Sequence, residues 1–239
     1  METRDAENWP DAAAPPATTP TDRVRERLLR AVLEQRLPPG AKLTEDEIAG
    51  LCGVSRTVVR AALQALSHDG VVVLERHRGA FVAAPSPQSA REVFEARALL
   101  EPAVARAAAR HADAEALARL ARHIEAEHAA LEAGELGRAV HLSGRFHLVI
   151  AEMSRHQTIA ALLGGLIARS ALVLALYARL PDTLCERHAH GALLAALTAR
   201  DADAAEAAMR RHLADLLAGL DLAPRAPSKP DLARALSTG

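Results

Sequence analysis

A mainly α fold in two units is predicted by three observations. Apolar residues make up 50% of the 239-residue chain while aromatics are only 2%, so alanine and leucine, both good helix formers, carry the core. Helical spacing of those residues recurs nearly throughout, and the one clear β signal is confined to "VVVLERHRGAFVAA". Third, "PSPQS" at 85–89 separates a shorter first half from a longer, wholly helical second half. Formal net charge is -1, so nucleic-acid binding, if present, rests on local geometry and not on a bulk basic excess.

Residues 1–20, with "DAAAPPATTP", read as a disordered arm that cannot bury enough apolar surface to fold. From Thr21 a helix begins, with Val24, Leu28, Ala31, Val32 and Gln35 on one stripe and "LPPG" ending it. In "LTEDEIAGLCGV", Thr44 with Glu47 three residues on has the pattern of a capping box, and Ile48, Leu51 and Val54 are apolar at helical spacing. Gly53 permits a sharp turn, and Ser55 caps a second helix, "RTVVRAALQAL", whose Val58, Ala62, Leu63 and Leu66 can join Val54 in facing a core. The β-rich runs after "SHDG" then complete a winged helix-turn-helix over 21–84. From 90 to 222 the chain reads as an all-α bundle of six or seven helices, with breaks near His111–Asp113, Ala133–Glu135, Arg155–His156, Leu180–Asp182 and Arg200–Asp203. Residues 223–239 are proline-rich and read as a flexible tail.

Several classes recede at this point. Cys52 and Cys185 have no metal-like spacing and read as incidental small hydrophobes. "METRDAENWP" is too acidic and polar for a signal peptide. "LLGGLIARSALVLALY" is interrupted by Arg169 and two glycines, so it reads as a core helix and not a membrane span. A cytoplasmic protein without a membrane partner is the expectation.

The second helix of the pair is where DNA chemistry concentrates. A recognition helix contacts the major groove through its first turns, here Ser55, Arg56, Thr57 and Arg60. The two arginines are four apart and share a face; arginine forks pair with guanine O6 and N7, or with phosphate. The wing turn puts His77 and Arg78 beside Gly79, where the backbone can approach phosphate or the minor groove. Solvated surface charge is the competing reading for any one of these arginines. The ordered set of capped helices, glycine turn and basic wing favours DNA.

In the helical half, His147 shares an apolar stripe with Val140 and Ile150, His190 with Leu193, Leu194 and Leu197, and His212 with Met209 and Leu216. His188 points away from His190's stripe. A hairpin at Arg200–Asp203 sets His190 and His212 at equal heights, about ten residues on either side. With His147 they can hold a divalent metal; three separate core histidines is the alternative reading of the same residues.

The stretch "RLPPGAKLTEDEIAGLCGVSRTVVRAALQALSHDGVVVLERHRGAFV" resembles the DNA-binding half of GntR-superfamily transcription regulators. The resemblance implies a dimer on a palindromic double-stranded operator, with DNA contacts from Thr44, Ser55, Arg56, Thr57, Arg60, Arg78 and Gly79. Asp46 stands where some members have arginine, which implies that this phosphate contact is missing. "VFEARALLEPAVARAAA", "FHLVIAEMS" and "HGALLAALTARDADAAEAAMRRHL" resemble the FCD effector domain of the FadR-type branch. That resemblance implies zinc or nickel held by His147, His190 and His212, beside a small organic acid effector. The family's acid one turn before the first histidine is Ser143 here, a poor ligand that leaves room for water or effector. Arg97 is then a partner for an effector carboxylate, or an ion-pair partner for Glu101. The functional expectation is an effector-responsive homodimeric regulator, most simply a repressor. A helical half that only dimerises, or a metal-dependent hydrolase, are the alternatives; the latter lacks a general base with a defined role.

Overall fold

The computed structural model describes residues 19–178 and 189–222. The arm up to residue 18, the tail from 223, the break at Leu180–Asp182, Cys185 and His188 lie outside the described residues. Within them the fold is an N-terminal helical head with a small antiparallel wing, followed by an all-α bundle.

The head begins with α1 (Pro20–Leu33), whose N-terminus carries a complete capping box between Thr19 and Asp22. Thus the helix starts inside the stretch expected to be disordered. Val24, Leu28, Ala31 and Val32 are buried as their spacing predicts, but Gln35 is not on the stripe. The helix has already ended at Leu33, and Gln35 takes a positive φ of 58° in the turn that follows. A two-residue strand, β1 (Lys42–Leu43), precedes α2 (Glu45–Cys52). Thr44 caps α2 with its backbone only, so the expected Thr44–Glu47 box does not form. Gly53 closes α2 in the left-handed region at φ 64°, the conformation that lets α3 (Arg56–His68) leave at once in a new direction. Ser55 accepts from the Val58 amide as the cap of α3. Val59, Ala62, Leu63 and Leu66 form the buried face of α3, with Val54 and Val58 only partly covered. Strands β2 (Val72–Glu75) and β3 (Gly79–Val82) form the wing hairpin, and β1 pairs on the other side of β3, giving the order β1-β3-β2.

The bundle contains six helices among the described residues: α4 (Pro87–His111), α5 (Ala114–Glu132), α6 (Leu136–Met153), α7 (Gln157–Tyr177), α8 (Ala189–Thr198) and α9 (Ala202–Ala218). Its core centres on Phe94, Phe146, Ile150, Leu163, Leu193 and Leu213. Helix α4 starts at Pro87 on a Ser86 cap, so three of the five expected linker residues are helical. Helix α7 is long and apolar enough to cross a membrane by composition, yet it is the shared internal helix of the two units. It packs against α1, α4 and α6, and its Ala168 and Leu172 belong to the core of the head.

The head is therefore docked, not merely tethered. Gly137, at the start of α6, lies so close to the backbone of Glu34 that a Cβ there would fall 1.8 Å from the Glu34 carbonyl oxygen. The Arg169 side chain, the interruption in the apolar stretch, crosses the same boundary and packs on Gly70 while reaching Ser89 Oγ at 3.5 Å. Tyr177 donates its hydroxyl to the Pro85 carbonyl at 2.8 Å, tying the link between units to α7.

Candidate functional site

On the head, the polar face opposite the buried stripe of α3 presents Ser55, Arg56, Thr57 and Arg60, all exposed. The helix geometry thus sets both arginines on the solvent side of the helix-turn-helix. Neither is a bare cation: Arg56 pairs with Asp46, and Arg60 forks onto Glu45 at 3.1 and 2.7 Å. Asp46 thus gives the exposed Arg56 an acidic partner. At the wing, Arg78 pairs with Glu75 and lies 5.4 Å over the Phe81 ring, His77 holds a left-handed φ of 62°, and Gly79 opens β3 at φ 104°. Thr44 sits at the start of α2, half-buried, on the acidic side of the motif. Exposed ion pairs of this kind contribute little to stability. These pairs are therefore easily opened.

In the bundle, three helices deliver the histidines to one point. His147 comes from α6, His190 from the first turn of α8 and His212 from α9, and all three are buried. The α8–α9 hairpin turns at Arg200, which adopts φ 56°, and brings His190 Nε2 to 3.2 Å from His212 Nε2. His147 Nε2 stands 3.3 Å from the same atom. Phe146 stacks on the His190 ring at 4.1 Å between centroids, which fixes its plane.

The far sides of two rings face acids. His190 Nδ1 lies 2.8 Å from Glu127 Oε2, on α5. His147 Nδ1 lies 2.6 Å from Glu101 Oε2, close but not aligned as a full hydrogen bond. Burial works against the Glu101 charge, but Arg97 and His147 overcome it and hold the carboxyl at about 2. Burial depresses His147, a tendency that Glu101 opposes and Arg97 reinforces; burial, then His190 and His147, push His212 well down. His147 and His212 are accordingly neutral at pH 7.

The donor arithmetic tests a metal at this point. A carboxylate accepts only, so a neutral His190 carries its proton on Nδ1 and presents a lone pair at Nε2. The same tautomer suits His147 beside Glu101. Both lone pairs then face one atom, His212 Nε2, which has at most a single proton to offer. One of the two contacts would be lone pair against lone pair in a buried site, a costly arrangement. A divalent cation among the three Nε2 atoms resolves it. The carboxylate–imidazole pairing on the outer side is what such ligands use to fix tautomer and orientation. The cluster can therefore coordinate a metal.

Of the other predicted residues, Ser143 lines a cavity of about 130 Å³ beside the histidines, together with Arg97 and His147. Arg97 is engaged, with Nε 2.5 Å from Glu101 and Nη1 2.9 Å from Ser170 Oγ. The ion-pair reading of Arg97 is thus realised, while its guanidinium still borders the cavity. Sequence reasoning missed Glu127 and Ser170. Only the buried position of Glu127 on the inner stripe of α5, between Ile124 and Ala130, hints at it.

A family model described as bacterial regulatory proteins, gntR family, matches residues 20–82, and one described as FCD domain matches 92–215. The chain belongs to the GntR family and carries an FCD domain. It is 31% identical over 199 residues to the Uxu operon transcriptional regulator of Escherichia coli (strain K12), covering 75% of this chain and 76% of that protein. It is 28% identical over 203 residues to the HTH-type transcriptional repressor RspR of the same organism, covering 83% and 88%. A GntR transcriptional regulator structure from Rhodococcus sp. RHA1 superposes with TM-score 0.71 at 25% identity, over 83% of this chain and 95% of that one. E. coli McbR/YncC, at 22% identity, shares the fold with TM-score 0.74 over 84% and 96%. This GntR-family chain is a DNA-binding transcriptional regulator and not an enzyme.

Proposed function

We propose that this regulator is a FadR-type cytoplasmic homodimer that binds a palindromic operator and releases it on sensing a small carboxylate beside a bound divalent metal. The observation that carries the reading is the convergence of three buried Nε2 atoms next to a cavity bordered by arginine and serine. His147, His190 and His212 would hold the metal, zinc or nickel by donor type. Bound there, a divalent cation supplies Lewis-acid affinity for a carboxylate oxygen. Glu127 and Glu101 hold two of the imidazoles in register, and Ser143, offering only a hydroxyl, leaves space for the effector.

In this reading 21–84 is the DNA-binding unit, 85–89 the join and 90–222 the sensor. Arg56 and Arg60 read bases or grip phosphate in the major groove, with Ser55, Thr57 and Thr44 on neighbouring phosphates. His77, Arg78 and Gly79 approach the flanking groove. A dimer suits a head with so few base contacts, because two half-sites double them. RspR is a transcriptional repressor, which supports repression as the sign. Effector binding changes operator affinity by changing how the heads sit on the sensors.

A thermal-shift screen of small carboxylates, with and without zinc or nickel, tests the proposal. Stabilisation by a carboxylate only when metal is present is the expected result. Stabilisation that ignores the metal would reduce the site to a plain anion pocket.

A further inference from the structure

The cavity beside the histidines has a second end, and that end belongs partly to the DNA-binding head. Along α6 its lining residues fan round the helix at about 100° per residue. Ser143 and His147 stand at one edge, His141 and Arg145 at the other, with Val140 and Gly144 between them. Helix α7 repeats the division. Ser170, bonded to Arg97, marks the inner edge. Ala168, part of the head core, and Gly165, against the Asp69 carbonyl, mark the outer one.

Arg25, Leu29 and Leu33 of α1 close the outer end, with Asp69 from the end of α3. The contact between Glu34 and Gly137 sets the register. Arg25 lies nine residues back from it along α1 and Arg145 eight residues on along α6. That is about 12–14 Å of travel on each helix at 1.5 Å per residue, and both residues border the cavity.

Charge distinguishes the three arginines. Arg97 is answered by Glu101, and Arg25 by Asp69 at 2.6 Å. Arg145 has no carboxylate partner among the described residues, and its charge is the second cause, after burial, that depresses nearby His123. Asp69 is the sole acid lining the cavity among the described residues. The walls between the ends are apolar: Val140, Ile167 and Ala171. A cavity with an apolar middle and cations at both ends fits a short chain with an anion at each end.

We propose that the cavity takes a small dicarboxylate lengthwise, its inner carboxylate at the Arg97–His147 end and its outer one clamped by Arg145 and by Arg25 of the head. The inference rests on the effector reading above and narrows it. Arg25 gives up Asp69 to hold the ligand, so occupancy acts on α1 directly and the head is itself part of the sensor site.

The test is isothermal titration of the full zinc-loaded chain with succinate, glutarate and adipate against butyrate and valerate. At least one dicarboxylate binds tenfold or more tighter than its monocarboxylate counterpart. Arg145→Gln brings that dicarboxylate down to the monocarboxylate level and leaves the monocarboxylates unchanged. Arg145→Lys, which keeps the charge without the fork, falls between. Arg25→Gln weakens the dicarboxylate similarly, and Asp69→Asn, by freeing Arg25, strengthens it. Equal binding of the two acid classes by the wild type overturns the clamp, as does an undiminished preference in a folded Arg145→Gln protein. If neither class binds while zinc does, the effector reading falls and the clamp falls with it.

Discussion

Replacing Gly137 by alanine separates a docked head from a tethered one. Alanine is the better helix former, and inside an unobstructed helix the change would stabilise the protein by up to about 1 kcal/mol. Here the added Cβ meets the Glu34 carbonyl oxygen at 1.8 Å and its carbon at 2.3 Å. These are backbone atoms, so no rotamer relieves the contact and α1 must move off α6 by more than about 1 Å, at an overpacking cost of about 1–3 kcal/mol. Leu33, which packs on both cores, moves with it. For a chain of this size about 1–3 kcal/mol lowers Tm by roughly 2–12 °C. Differential scanning calorimetry reads that change, and fluorescence anisotropy with operator DNA reads the function. Gly137→Ala should still bind DNA, since α3 and the wing are untouched, but respond weakly to effector. A Tm equal to or above that of the wild type would refute the docked arrangement.

Three further outcomes are expected. Arg56→Ala or Arg60→Ala weakens operator binding by about 1–3 kcal/mol with little change in Tm, because the pairs with Asp46 and Glu45 are exposed; unchanged affinity in an anisotropy titration would remove α3 as the reading helix. Glu127→Gln keeps a group beside His190 but loses the charge. Metal competition assays should show about 10–100-fold weaker zinc binding, and no change would mean that His190 needs no orienting acid. Burial first, then Arg145 and Arg119, push His123 from 6.5 down to about 4, so the fold keeps it neutral where the unfolded chain takes a proton. Stability is then complete above pH 6.5 and falls as pH drops towards 4, by about 1 kcal/mol once solvent screening of this half-buried group is allowed for. Urea melts at pH 7 and pH 5 should show a shallower pH dependence in His123→Gln, and an identical dependence would refute the assignment.

Helical spacing makes much of this architecture legible in the sequence alone. The stripe of Val24, Leu28, Ala31 and Val32 is buried as spaced, and equal counting from the Arg200 turn placed His190 opposite His212. Both are local relations, set by 1.5 Å per residue along one or two helices. What spacing cannot show is which distant side chain answers a buried one. Glu127 is 63 residues from His190, and its role depends on how α5 packs against α8. Local motifs can also mislead. Thr44 and Glu47 have the letters of a capping box, but Thr44 follows β1 and its hydroxyl does not cap. The box that does form, Thr19–Asp22, sits at the end of a proline-rich stretch whose composition argues for disorder. Strand β1 is two residues long, too short for any alternation to mark it.

The central claim is that the three-histidine site, filled by a divalent metal, lets a carboxylate control the DNA-binding head. The direct measurement is operator affinity by fluorescence anisotropy, with and without saturating dicarboxylate, for the zinc-loaded chain, the chelator-stripped chain and His212→Ala. A ligand-dependent loss of affinity is expected in the zinc-loaded wild type alone. An equal response in the stripped protein or in His212→Ala would contradict it.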